Sequence, residues 1–170
     1  DKPFEVWADA SATCSGALLV QRDDGGLPIV IECQSHKFTS TEQNYTVAER
    51  ECLAILLGVK QFRPFLLSSN RFSVTVFSDH RGLQYLHTNR DTNSRLYRWA
   101  QSLDEFNYSI VYVPGSEQVA ADALSRLTAY THGWVEHTAK ALLLCPTATT
   151  HATTADDAAL GTPAPRHIHH

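Results

Sequence analysis

The stretch TVAERECLAILLGVKQFR, Thr46 to Arg63, reads as a helix that carries a carboxylate where a helix normally hides hydrocarbon. Thr46 followed by Glu49 is a capping-box pattern, and Pro64 closes the far end. At helical spacing Glu51 shares a face with Val47, Ala48, Ala54 and Ile55, and Gly58 lies a turn further on. Glu51 therefore points into the expected core. An unpaired buried carboxylate costs on the order of several kcal/mol, so this one needs a cation or a proton. Three aspartates, Asp9, Asp79 and Asp122, each stand where an apolar element ends or begins. If the four acids converge, they cannot all stay ionised without a metal ion.

N-terminal to this helix, Phe4 to Asp9 alternates between two faces and reads as a strand ending near Asp9. Gly16 to Gln21 and Leu27 to Cys33 form two more strands around the turn Asp23-Asp24-Gly25-Gly26, giving an antiparallel meander. Ser40 to Tyr45 reads as a polar connection into the helix. C-terminal to it, Arg71 to Phe77 is a fourth strand, rich in β-branched residues, that ends at Ser78-Asp79-His80. Asp79 thus falls at a strand's carboxyl end, where open α/β sheets gather ligands. A short helix through Leu83 and Leu86 follows, then the polar run His87 to Asn93.

From Ser94 the positions Leu96, Trp99, Ala100, Leu103 and Phe106 make an amphipathic helix. Tyr108 to Val113 is a fifth strand, turned by Pro114-Gly115. The helix that starts at Ser116 has an apolar stripe through Ala120, Ala123, Leu124 and Leu127, with Asp122 beside it. The expected order is β-β-β-α-β-α-α-β-α.

Composition limits the rest. With 170 residues, 43% of them hydrophobic, the chain suits one domain with extras and excludes a disordered protein. A net charge of −4 excludes a broadly basic nucleic-acid coat, which leaves a local basic patch beside an acidic centre. No apolar run is long enough to span a membrane and no signal-peptide pattern is present, so the chain as given is expected to be soluble and unaddressed, and to be a piece of something longer. Cys14, Cys33, Cys52 and Cys145 contain no CxxC pair and read as buried free thiols in a reducing compartment.

Residues 1–127 hold 12 of the 14 Lys and Arg and 15 of the 18 Asp and Glu, which marks the domain boundary. Residues 128–170 read as an extension, with a short helix over Gly133 to Leu144 and then an Ala/Thr/Asp/Pro linker or tail. The terminal HIHH reads as a tag remnant or a solvated end.

The stretches WADAS (7–11), NYTVAERECLAIL (44–56), FSDHRGL (77–83), SRLYRWAQSLDEFNYSIVYVPG (94–115) and VAADALSR (119–126) resemble the ribonuclease H domain of gypsy-type LTR retrotransposon polyproteins. The resemblance covers about Pro3 to Leu127, and five such motifs in order are highly specific. It implies an α/β fold of the ribonuclease H-like type: a five-stranded mixed sheet, three antiparallel strands and then parallel ones, flanked by helices. The implied activity is hydrolysis of the RNA strand of RNA:DNA hybrids during reverse transcription, leaving 5′-phosphate and 3′-hydroxyl ends. The implied partner is the reverse transcriptase polymerase domain of the same polyprotein, and the implied location is cytoplasmic, in a virus-like particle.

The family's acid quartet falls on Asp9, Glu51, Asp79 and Asp122 as catalytic and metal-binding residues. Glu49 is the rival to Glu51, but Glu51 lies on the apolar face and Glu49 is occupied by the capping box. The quartet suits two-metal-ion hydrolysis, with ions roughly 4 Å apart, one activating water and one stabilising the leaving 3′ oxygen. Hard oxygen ligands select Mg²⁺, with Mn²⁺ as a substitute. By the resemblance Asp9 bridges both ions, Asp122 helps hold the ion that activates water, and Glu51 with Asp79 holds the other. Glu51 is also expected near a ribose 2′-OH.

Singly, each acid has an ordinary role: Asp9 in a turn, Asp79 as a helix N-cap, Asp122 on an exposed helix face. Relatives from retroviruses and cells carry a histidine in the loop before the last acid. Here that loop, Pro114 to Glu117, has none, as in the gypsy-type group, which implies slow turnover.

For hybrid binding the candidates are Arg81, His80, Lys37 and Arg95, with Arg90, Arg98 and Arg126 behind them. His80 is either a proton shuttle or a locally packed helix-start residue. Arg95 and Arg98 equally suit surface pairs with Asp91 and Glu105. The alternative to a nuclease is a catalytically weak or silent tether on the same fold. An integrase core is disfavoured by the glutamate on the long helix.

Overall fold

The computed structural model describes residues 2–68, 73–86 and 94–126. The helix expected over Gly133 to Leu144, the tail beyond it, Arg90, Asp91 and Leu127 lie outside those residues. Five strands form one sheet: β1 Phe4–Ala10, β2 Cys14–Arg22, β3 Pro28–Lys37, β4 Val74–Ser78 and β5 Tyr108–Tyr112. Across the sheet they run β3-β2-β1-β4-β5, with β3, β2 and β1 antiparallel and β4 and β5 added parallel. This is the expected mixed sheet.

At the β2–β3 turn, Asp23 Oδ1 accepts from the N–H groups of Gly25 and Leu27, both at 2.8 Å, and Gly26 takes a φ of +81° that side-chain-bearing residues resist. Strand β3 continues past Cys33, where it was expected to stop, to Lys37. The register with β2 shifts at Leu19/Val20, which leaves Ile31 as the additional residue of a bulge.

The helices are α1 Ser40–Gln43, α2 Val47–Gln61, α3 Arg63–Ser68, α4 Ser94–Leu103 and α5 Val119–Arg126. Helix α1 replaces the expected polar connection, because Thr39 and Glu42 make a capping box of their own. The Thr46–Glu49 box starts α2 as expected. Pro64 ends nothing by itself: it is the second residue of α3, in a first turn whose N–H groups need no helical partner. Leu83 and Leu86 are buried as expected, but the short helix is a 3₁₀ turn, Arg81–Tyr85.

Alternation along β1 sorts the core into two layers. Phe4, Val6 and Ala8 join Ala17, Leu19, Val74 and Val76 against α2 and α4, around a fully buried Phe62. Trp7 faces the other way, with Leu18, Val20 and Val113, against Ala120 and Ala121 of α5, and stacks on Phe77 with ring centroids 4.2 Å apart. Gly58 lets α2 lie close on the sheet, since a Cβ there would stand 2.6 Å from that of Ala17. Cys14 and Cys52 are buried free thiols, as expected, Cys33 is buried as well, and Cys145 lies outside the described residues.

Candidate active site

Asp9, two residues beyond Trp7, lies near the end of β1 on the α5 side, and Asp79 follows the last residue of the parallel neighbour β4. Glu51 comes from α2, which packs on the opposite face. The three meet where the sheet ends and both layers reach it. One ligand oxygen from each of Asp9, Glu51 and Asp79 lies within 4.8 Å of the other two. Asp9 is 7% exposed and Glu51 3%, while Asp79 is half-buried, so the cluster is withdrawn from water on the Asp9 and Glu51 side.

Glu51 Oε1 accepts a 3.3 Å hydrogen bond from the Ala10 N–H, while its Oε2 is buried without a hydrogen-bond partner among the described residues. Burial, then the negative charges of Asp9 and Asp79, push the Glu51 carboxyl up to about 9, against a smaller pull from the Ala10 N–H and Arg50. Metal-free, Glu51 therefore holds a proton at neutral pH. A buried orphan oxygen facing two further carboxylates fits a hard divalent cation, which would displace that proton and take up the free oxygen.

Asp122 is not part of that trio. It lies half-buried in the first turn of α5, and two nearby residues, Ser125 on that helix and Gln118 just before it, make the link to the cluster. Ser125, with no exposed surface, places its Oγ 2.6 Å from Asp9 Oδ2. Gln118, 1% exposed, spans the strand ends: with its amide oriented to satisfy its neighbours, it donates to the Ala8 carbonyl at 2.9 Å and accepts from the N–H groups of Ser78 at 3.1 Å and Asp79 at 3.0 Å. One side chain thus ties β1 to β4 beside both aspartates. Asp79 also packs on Gly115, where a Cβ would stand 3.1 Å from its Oδ2.

Gln118, Ser125 and Gly115 were not among the candidates read from the sequence. Gln118, just before α5, is buried with Ala120, Ala121 and Ser125, whereas Ala123 is half-buried, and the side chains of Leu124 and Leu127, the rest of the expected stripe, lie outside the described residues. Spacing of i, i+3, i+7 in phase with a buried alanine was the available signal.

The rival Glu49 is buried but engaged. Its Oε2 caps the Thr46 N–H at 2.9 Å and its Oε1 takes Arg95 Nη1 at 2.7 Å. Burial raises its pKa, yet the Thr46 N–H and hydroxyl and the Arg95 charge outweigh that and hold the carboxyl below its ordinary range. Arg95 is thereby committed to α2, with its guanidinium 4.0 Å above the Tyr45 ring. Of the surface partners considered for Arg95 and Arg98, Glu105 makes a 3.4 Å contact with Arg63, and Asp91 lies outside the described residues.

Arg81 is exposed next to the cluster, its guanidinium 4.4 Å from the Tyr112 ring centroid. Lys37 is exposed at the end of β3. His80 is half-buried; its ring crowds Gly82, and its Nδ1 is buried with no hydrogen-bond partner among the described residues.

The family model described as the RNase H-like domain found in reverse transcriptase matches residues 1–106. The Pol polyprotein of the Drosophila melanogaster transposon opus is 38% identical over 126 residues, which is 74% of this chain and 12% of the polyprotein. The Pol polyprotein of transposon gypsy from the same fly is 39% identical over 125 residues, 74% of this chain and 11% of the polyprotein. The Tf2-3 polyprotein of Schizosaccharomyces pombe is 38% identical over 128 residues, 74% of this chain and 10% of the polyprotein. The chain thus spans about a tenth of the length of the curated relatives it matches.

Among solved structures, RNase H1 of the halophilic archaeon Halobacterium salinarum has a TM-score of 0.53 at 18% identity, covering 72% of this chain and 93% of that one. LC11-RNase H1, isolated from compost, has a TM-score of 0.56 at 16% identity, covering 73% and 93%. At those identities the likeness establishes the fold, and the family match reaches well over half of the residues. The chain belongs to the RNase H-like domain family of reverse transcriptases.

Proposed function

We propose that this chain is a divalent-metal-dependent ribonuclease that hydrolyses the RNA strand of RNA:DNA hybrids, working as one domain of a retrotransposon polyprotein beside its polymerase. The observation that carries this assignment is the convergence of Asp9, Glu51 and Asp79 at the sheet end, with a buried Glu51 oxygen that no group among the described residues satisfies. Three hard oxygen donors suit Mg²⁺, with Mn²⁺ as a substitute. Bound there, such ions supply an activated water and stabilise the leaving 3′ oxygen.

The chain's own part is to hold and shape that centre. Asp9 supplies a carboxylate fixed by Ser125, Asp79 one whose backbone is held by Gln118, and Glu51 one that closes the cluster from the opposite layer. Asp122, in the first turn of α5, is the fourth acid. Arg81, exposed beside Asp79 and stacked on Tyr112, is placed for a phosphate of the hybrid, with His80 next to it and Lys37 at the end of β3. Arg95 contributes through the Glu49 bond that steadies the start of α2.

The test is cleavage of a hybrid with labelled RNA by the purified chain in Mg²⁺ and in Mn²⁺. RNA-strand cutting that EDTA and Glu51→Gln both abolish is the expected result. No cutting in either metal, also with the polymerase domain attached, would leave the tethering alternative as the better account.

A further inference from the structure

The Ser125 hydroxyl has one proton and two acceptors in reach, Asp9 Oδ2 at 2.6 Å and the Asp122 carbonyl at 2.8 Å. A serine bonded only to the carbonyl one turn back is an ordinary feature of helices. The bond to the carboxylate is not, and its length falls in the range of charge-assisted O–H···O⁻ bonds, so the proton goes to Asp9. Ser125 is itself fixed: its carbonyl accepts from Ser11 Oγ at 2.7 Å, and Ser11 Oγ also accepts from the Cys14 N–H at 3.0 Å. A short loop after β1 therefore grips the backbone of α5, and α5 in turn grips the carboxylate near the end of β1.

We propose that Ser125 is a positioning residue: its hydroxyl fixes the Asp9 carboxylate in the orientation in which it shares a divalent cation with Glu51 and Asp79. This rests on the assignment of the acidic trio as a cation site. Groups that orient metal ligands from behind alter affinity by about 10- to 100-fold when removed. Ser125 acts on Asp9 from that position.

The experiment is Mn²⁺ titration of the full 170-residue chain, followed by the electron paramagnetic resonance signal of free Mn²⁺, for the wild type, Ser125→Ala and Ala121→Gly. Ala121, 1% exposed, packs α5 on the sheet without a bond to any acid, so its variant measures what a loosened helix alone does. The expected result is affinity weakened about tenfold or more in Ser125→Ala and changed less than about twofold in Ala121→Gly. A loss under about fivefold in Ser125→Ala, or an equal loss in both variants, overturns the proposal. A wild type that binds no Mn²⁺ instead removes the cation site itself, a separate failure seen before any variant is compared. Should Ser125→Ala not fold, Ser125→Cys keeps an atom in place while weakening the donor, and the same comparison applies.

Discussion

Replacing Glu51 by Gln should make the metal-free protein more stable at neutral pH, although it removes a buried acid at the centre of the site. The unfolded chain gives up the Glu51 proton near 4.5 and the folded chain holds it to about 9. Between those values unfolding releases a proton, so stability falls as pH rises, by up to about 1.4 kcal/mol per unit. From 4.5 to neutrality that amounts to about 3 kcal/mol, on the order of 10 °C in melting temperature for a domain of this size. Glutamine keeps the shape and carries no titrating proton, so its curve lacks this component. The assay is thermal unfolding by circular dichroism in EDTA from pH 5 to 8.5. The two proteins should melt together near pH 5 and part as pH rises, with the variant higher. Wild-type and variant melting temperatures that run parallel across the range would refute the buried, repelled proton.

Two further outcomes follow from the packing. Gln118→Ala leaves the Ala8 carbonyl and the N–H groups of Ser78 and Asp79 without their buried partner, at about 1–3 kcal/mol for each group not rescued by water; a loss below about 1 kcal/mol in urea unfolding would contradict the clamp. Gly58→Ala should destabilise by about 1–3 kcal/mol despite alanine's better helix propensity, because its Cβ meets Ala17, and Ala17→Gly should recover part of that loss; a double-mutant cycle with no coupling would argue against the contact.

Glu51 was legible because helical spacing places a charge among apolar neighbours, and the helix start was legible because Thr46 and Glu49 stand three apart. The same pattern at Thr39 and Glu42 went unread, since a helix of four residues offers no hydrophobic period to support it. Strand β3 was cut short at Cys33 because its far half, Gln34 to Lys37, is polar at an edge, where burial no longer dictates composition. Gln118 and Ser125 were passed over for a related reason. Their burial is licensed by hydrogen bonds to groups far along the chain, and a count of apolar positions cannot see such partners. The convergence of Asp9 and Asp79 was foreshadowed by strand ends, whereas the place of Asp122 outside the trio depends on how α5 is set down.

The bond between Ser125 and Asp9 closes a span of 116 residues. Contacts of such separation form late, because the chain entropy lost in closing a long loop is recovered only once much of the structure between is in place. The β2–β3 hairpin needs nothing so distant. During translation at roughly 5–20 residues per second, Asp9 waits on the order of 6 to 20 s for its serine to be synthesised. Until then the nascent domain has its first three strands but lacks the hydroxyl that fixes its central acid, so the completed carboxylate centre acts as a marker that the chain has been made through to α5.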